Sequence, residues 1–167
     1  MNEIAKQNYN RWINSKHVDE ETKNILKNMS ENDIDDAFFQ NIQFGTAGMR
    51  GVIGPGTNRM NYFTVKRTTI GSAKYLLEKF NDASVVISHD NRHLSREFTL
   101  ESAKIFTELG IKAYIFDSLR PTPELSFAVR YLKASGGIMI TASHNPKEQN
   151  GYKVYDETGF QIVPSKI

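Results

Sequence analysis

The sequence predicts an α/β fold: a three-layer α/β/α domain with a mixed, mainly parallel sheet, preceded by a short helical N-terminal arm. Three observations carry this expectation. Between residues 64 and 143, short apolar strand-like runs alternate with amphipathic helical stretches, the pattern in which crossover helices make neighbouring strands parallel. Capping residues and glycine or proline punctuate the boundaries of those stretches. The first forty or so residues show helical spacing with much polarity between the apolar positions, as an arm lying on a surface would. The boundaries drawn are 1–41 for the arm and 42–167 for the domain.

Taken in chain order, Ile4, Trp12 and Ile13 can share one helical face, and Ile25, Leu26 and Met29 another. Ser30, with Asp33 three residues later, resembles a capping box ahead of Ile34, Ala37 and Phe38. Gly45, Gly48, Gly51 and Gly54 recur every third residue up to the Gly54-Pro55-Gly56 turn, which predicts extended or looped backbone. From Thr64 onward Val65, Ile70, Ala73, Leu76, Leu77 and Phe80 follow helical spacing despite Gly71. A strand follows over 85–88. Ser95 is expected to cap a helix bearing Phe98, Ile105, Phe106 and Leu109, with Gly110 at its C-terminal stop. Another strand is expected over 112–116. Thr122, Pro123 and Glu124 supply N-cap, first-turn proline and first-turn acid to a helix carrying Leu125, Ala128, Val129 and Leu132. Gly136-Gly137 opens an apolar strand through Ile138, Met139 and Ile140 that runs to Ser143. The end, KVYDETGFQIVPSKI, reads as strand, turn and short second strand, with Val163-Pro164-Ser165 starting a connection, the pattern of a piece of a longer polypeptide.

Composition narrows the function classes. The 167 residues, 39% hydrophobic and 11% aromatic, leave room for one domain with a sizeable core. A net charge of +2, from 21 basic and 19 acidic residues, comes without a basic run or face, so no nucleic-acid partner is expected. Absence of cysteine excludes a disulfide framework and thiolate metal sites. No apolar run approaches the roughly 18 residues of a membrane span, and the first residues lack a signal pattern; a cytoplasmic location without membrane contact is expected.

Four stretches carry chemistry. In ITASHNPKEQNGYKVY, residues 140–155, an apolar strand runs into Ser143, and Asn145-Pro146 forces the chain out of the ladder just beyond it. Loops at strand C-termini are where open α/β sheets hold ligands. Ser143 is therefore a candidate nucleophile, although adjacent residues in extended chain point apart, so His144 serves as its base only if a turn intervenes; a turn-forming serine is the alternative. In Tyr152-Lys153-Val154-Tyr155 the period-2 rule sends Lys153 and Tyr155 to one face, from which Lys153 can reach Ser143 across a short hairpin; neighbouring cations would lower its pKa. Otherwise it is a solvated strand lysine. FGTAGMRG, residues 44–51, pairs glycines with Arg50, whose guanidinium suits a phosphate; a glycine-rich strand with a bulge explains the pattern as well. ISHDNRHLS, residues 87–95, places His89, Asp90 and His93 near one another with Arg92, without matching a metal signature. The carboxylates of DIDDAF, residues 33–38, fall in a helix's first turn, where the dipole accounts for them. Together Arg50, Arg92, His144, Lys147 and Lys153 offer cations around one serine, a setting for a phosphorylated hydroxyl.

TASHNP followed by NGYKVY, with FGTAGMRG upstream and HDNRHLS between, resembles the first domain of the α-D-phosphohexomutases, the phosphoglucomutase and phosphomannomutase superfamily. The resemblance runs from about Ile42 to the end. It implies a sugar-phosphate mutase, an intramolecular phosphotransferase in which Ser143 is carried as phosphoserine, passes its phosphoryl group to a sugar phosphate, and recovers a phosphate from the resulting bisphosphate. Lys153 would be the general acid/base, Arg50 a phosphate contact that also sets proton-transfer geometry, and His144 part of the site's lining; Arg92 and Lys147 would support phosphate binding. Implied cofactors are Mg2+, held from this chain only through the phosphate on Ser143, and glucose 1,6-bisphosphate as activator. Members of that family have four domains, and no D-G-D-x-D-R metal loop occurs here, so the remaining domains of the same polypeptide would be partners and the fragment alone is expected to be inactive. Ala47, where glucosamine-type relatives usually have aspartate, and Tyr152, where isoleucine or phenylalanine is common, lean toward glucose phosphates as substrate, mannose next, with a phosphopentomutase as alternative. Outside the family, the rivals are a metal-dependent hydrolase using His89, Asp90 and His93, and a non-catalytic sugar-phosphate binding module.

Overall fold

The computed structural model describes residues 2–46 and 48–163; Ala47 and the expected connection at Pro164-Ser165 lie outside them. Among these residues a six-stranded sheet is built from β1 (Phe44–Gly45), β2 (Gly48–Val52), β3 (Ser84–His89), β4 (Lys112–Ile115), β5 (Gly136–Ile140) and β6 (Gln149–Tyr155), in the order β1-β2-β6-β5-β3-β4. Helices α4 (Tyr62–Lys79), α5 (Ser95–Glu108) and α6 (Thr122–Tyr131) cover it. The helical crossovers through α5 and α6 make β3 parallel to both β4 and β5. The other pairings, β1 with β2, β2 with β6 and β5 with β6, are antiparallel. The sheet is therefore mixed, as the sequence predicts, but parallel pairing is confined to β4-β3-β5. The parallel majority is not reached because β6 folds back on β5 through the expected short hairpin and β2 then adds antiparallel to the outer side of β6.

Alternation along the strands makes the three layers. Val85, Ile87, Ile138, Ile140 and Tyr152 pack beneath Val65, Ala73 and Leu76 of α4 and Phe98 and Phe106 of α5. Val86, Met139 and Tyr155 face the other way, onto Leu125, Ala128 and Val129 of α6. Each helix buries a single stripe, which is why Ile70, Leu77, Leu109 and Leu132, placed on the core side by spacing alone, are exposed.

The arm comprises α1 (Glu3–Ile13), α2 (Glu20–Lys27) and α3 (Glu31–Phe38). These enclose a separate small core of Ala5, Leu26, Ile34, Ala37 and Phe38. Full burial of a side chain such as Phe38 contributes about 1.5–3 kcal/mol. The predicted Ser30 cap is present, its Oγ accepting from the Asp33 N–H. Ile4 and Ile25 are exposed instead of lining their predicted faces. Trp12 meets Phe63 of α4 with ring centroids 4.9 Å apart, and the Asn58 N–H donates to the Ala37 carbonyl at 2.9 Å; these contacts seat the arm on the sheet domain.

Local differences have local causes. Asn61 caps α4 through a reciprocal capping box with Thr64, starting the helix two residues before the predicted Thr64. Pro121 occupies the N-cap of α6 and Thr122 its first turn. Ser95 caps nothing: Leu94 holds the N-cap position at φ +60°, and the Ser95 hydroxyl donates to Asp90. The short strand expected after the 156–159 turn reduces to one bridge between Tyr155 and Gln161. Among the described residues no helix is long and apolar enough to cross a membrane.

Candidate functional site

Ser143 lies in the turn that joins β5 to β6, at the carboxyl end of a parallel strand. It is exposed, and its φ of +56° is in the left-handed region, a conformation that costs a non-glycine residue roughly 1–2 kcal/mol. Its N–H donates to Thr141 Oγ1 at 2.9 Å, and its carbonyl accepts from Arg92 Nη2 at 2.8 Å. The side-chain Oγ accepts from Lys153 Nζ at 2.6 Å. The hydroxyl is thus presented to solvent from above and met by an ammonium from below.

Lys153 sits on β6 opposite Met139, on the face the period-2 reading assigns to it, and is 8% exposed. Burial, and next the positive charge of Arg50, push its pKa below the ordinary lysine value, with Asp90 opposing. A lysine so placed yields its proton more readily than one in water.

Arg50 comes from β2, where it stands across from Gly151. A Cβ on Gly151 would lie 2.6 Å from the Thr141 carbonyl oxygen and 2.7 Å from Arg50 Cγ. Absence of a side chain there lets the arginine stem cross β6, and its Nη1 donates to Asn145 Oδ1 at 2.9 Å. Asn145 is held in turn by Nδ2 donating to Gln149 Oε1 at 2.7 Å. Gly48, at φ +90°, has a similar use: a Cβ would meet the Tyr152 carbonyl oxygen at 2.6 Å and Lys153 Cγ at 2.9 Å. Of the two readings left open for the glycine segment, its described residues form a strand hairpin packed hard on β6.

Arg92 is placed differently from a free phosphate ligand. Its Nη1 donates to the carbonyls of Pro146 and Gln149, its Nη2 to those of Ser143 and Asn145, and its Nε faces Asp90 Oδ2 at 3.4 Å. The guanidinium holds the loop from behind. Lys147 and Glu148 stand on the rim of the cleft that Ser143, Asp90 and Arg92 line. His144 is exposed, with no hydrogen-bond partner among the described residues. The serine's neighbour in space is therefore Lys153, while its neighbour in sequence faces water.

The histidines upstream do not gather. His89 is buried, its Nδ1 against the Asp90 carbonyl at 2.7 Å, and His93 is exposed. Among the described residues no three or more His, Cys, Asp or Glu side chains are grouped to hold a metal ion. Asp90, weighed from sequence only as a metal ligand, is a hydrogen-bond hub: Oδ1 accepts from the Arg92 N–H and Ser95 Oγ, Oδ2 from Thr141 Oγ1 at 2.6 Å. Asn150 Nδ2 joins through Ser95 Oγ and the His93 carbonyl. Sequence reasoning missed Thr141, Asn145 and Asn150; polar residues around a turn give no signal of which acceptors they will find.

Fold and site together define an α/β/α domain with a serine–lysine pair at the carboxyl edge of its sheet. Residues 41–167 match the family described as phosphoglucomutase/phosphomannomutase, alpha/beta/alpha domain I, and the chain belongs to that family. It is 47% identical over 154 residues to a phosphoglucomutase of Staphylococcus epidermidis, covering 92% of this chain and 28% of that protein. With a phosphoglucomutase of Staphylococcus haemolyticus it shares 52% over 125 residues, 75% of this chain and 23% of the other. A crystal structure from Thermus thermophilus, described as a phosphomannomutase, superposes with a TM-score of 0.70 at 39% identity over 76% of this chain and 28% of that one. The chain thus spans about a quarter of the length of the relatives it matches.

Proposed function

We propose that this chain is the phosphoserine-bearing domain of a sugar-phosphate mutase. The observation that carries the reading is the 2.6 Å bond from Lys153 Nζ to an exposed Ser143 Oγ. With a phosphoryl group on Ser143, the bond from phosphorus to Oγ breaks as one to a hydroxyl of the bound sugar phosphate forms. Lys153 is placed to give a proton to Oγ as that oxygen leaves, and the proton shed by the attacking sugar hydroxyl returns to the lysine amine; its lowered pKa suits that exchange. Arg50, oriented by Asn145, supplies positive charge beside the transferring group. Phosphoryl transfer rests on positioning and charge stabilisation, which a rigid strand end with a buried cation provides. His144 and Lys147, both exposed at the mouth, would meet the sugar phosphate and not the serine.

Glucose phosphate is the substrate favoured here, because the relatives of 47% and 52% identity are named phosphoglucomutases; mannose phosphate is second, after the Thermus thermophilus structure. The described side chains offer no metal cluster. A divalent cation, which would neutralise phosphate charge, would find in this chain only the oxygens of a phosphate on Ser143, and its other ligands would belong to the rest of a longer protein. That protein's later domains are also the proposed source of most sugar contacts, so the 167-residue chain alone is expected not to turn over.

The test is the intact mass of the full-length protein after incubation with glucose 1,6-bisphosphate. Wild type should gain one phosphate and Ser143→Ala none. Equal labelling of both, or of neither, would remove Ser143 from the chemistry. A coupled assay comparing glucose 1-phosphate with mannose 1-phosphate orders the substrates.

A further inference from the structure

We propose that Asp90, Thr141 and Arg92 form a backbone clamp that holds Ser143 in its left-handed conformation, and that Arg92 and Thr141 are positioning residues for phosphoryl transfer. The proposal rests on the reading of Ser143 as the phosphate carrier.

Both backbone polar groups of Ser143 are held, and both tethers lead to one carboxylate. On the N–H side, Ser143 donates to Thr141 Oγ1, which itself donates to Asp90 Oδ2 at 2.6 Å. On the carbonyl side, Arg92 Nη2 donates to Ser143 O, while the Arg92 backbone N–H donates to Asp90 Oδ1 at 3.0 Å. Because Thr141 gives its one proton to the carboxylate, its oxygen is left to accept, which is what the Ser143 N–H requires. The fork of Arg92 reaches the carbonyls of residues 143, 145, 146 and 149; four bonds of that kind from one side chain fix a loop's path without touching a ligand. Asp90 is anchored to the sheet by its own N–H, which donates to the Ile140 carbonyl at 3.2 Å. The clamp therefore refers the serine's position to the ends of β3 and β5. A serine released from it would return to ordinary φ, and Oγ would swing off Lys153.

Two variants of the full-length protein test this through two readouts. Thr141→Val removes the hydroxyl at nearly constant volume, and Thr141→Ser keeps it. In Thr141→Val, hydrogen exchange at the Ser143 amide should speed up by about tenfold or more while amides of β3 and β5 stay protected. Transfer from glucose 1,6-bisphosphate should slow by about 10- to 100-fold in kcat with KM within about threefold, the signature of lost positioning. Thr141→Ser should restore both. Arg92→Lys, unable to form the fork, should show the same kcat loss; a rise in KM alone would make Arg92 a phosphate ligand and overturn its assignment. Unchanged amide exchange in Thr141→Val refutes the clamp, as does a Thr141→Ser protein that behaves like Thr141→Val. Faster exchange with undiminished transfer refutes its link to the chemistry. If wild type takes up no phosphate, the functional reading falls, and the clamp is judged by exchange alone.

Discussion

The same substitution, glycine to alanine, should have opposite signs at two positions of this chain. At Gly71, on the exposed side of α4, an added Cβ meets nothing within 4 Å. The change removes backbone freedom from the unfolded chain and improves helix propensity, which stabilises by about 0.5–1 kcal/mol. At Gly151 the Cβ would sit 2.6 Å from the Thr141 carbonyl oxygen, 2.8 Å from that of Met49 and 2.7 Å from Arg50 Cγ. Arginine's stem can turn aside, but the two oxygens belong to backbone on either side of β6 and can recede only if the sheet opens by several tenths of an ångström. Overpacking of this kind costs about 1–3 kcal/mol, which outweighs the entropic gain. For a chain of 167 residues each kcal/mol moves Tm by about 2–4 °C, so Gly151→Ala should melt several degrees below wild type and Gly71→Ala a few degrees above. Urea titrations monitored by circular dichroism read both directly. A Gly151→Ala protein as stable as wild type would show that β6 has slack, and the account of how Arg50 crosses it would fail.

Two further outcomes follow from buried groups. The Tyr152 hydroxyl, its pKa raised to about 12 by burial, shares a hydrogen bond of 3.0 Å with Thr69, which donates to Ser102 at 3.2 Å, which donates to the Phe98 carbonyl. Tyr152→Phe leaves Thr69 and Ser102 their partners, so it should cost about 1 kcal/mol in urea unfolding; a gain in stability would mean the hydroxyl is not satisfied. Lys153 has a folded pKa below its ordinary 10.5. Below that folded value the lysine is charged in both states, and the cost of burying its charge is fully felt. Between the folded value and 10.5 the unfolded chain holds the extra proton, so stability rises with pH. Stability of the unphosphorylated chain should thus climb toward pH 10.5 relative to Lys153→Met, and NMR titration of Lys153 at or above 10.5 would contradict the burial argument.

Elements whose signal is local were legible in the sequence. Ser30 announces α3, and alternation puts Tyr152 and Lys153 on opposite faces of β6, because caps and pleat need no knowledge of the rest of the chain. The crossovers of β3, β4 and β5 also read correctly. What failed depends on distant partners. Ile70 and Leu77 obey helical spacing but lie on the side of α4 turned away from the sheet, where they are exposed among the described residues, and Ser95 looks like a cap until Asp90, five residues back, takes its hydroxyl. The β5–β6 hairpin could be read from 140–155, whereas the antiparallel pairing of β2 with β6 could not, because nothing in 44–52 says that this segment will pair with a strand about a hundred residues later. At the site, Ser143, Lys153 and Arg50 were nameable by residue type. The role of Arg92 was not, since a guanidinium turned toward four carbonyls and one turned toward an anion look identical in a string of letters.

Ser143 and Lys153 share one hairpin, whereas Arg50 is brought in by β2, a strand of five residues laid along the outer side of β6. That strand also occupies the backbone donors and acceptors that β6 would otherwise offer to solvent. Trimming the polypeptide from its front past Val52 would strip a cation from the serine turn and, in the same stroke, bare a ribbon on which copies can add to one another. Coverage of the β6 edge and the positive charge of Arg50 beside the serine turn are thereby tied to a single short stretch, and a shortened form that loses the charge should also be found clumping.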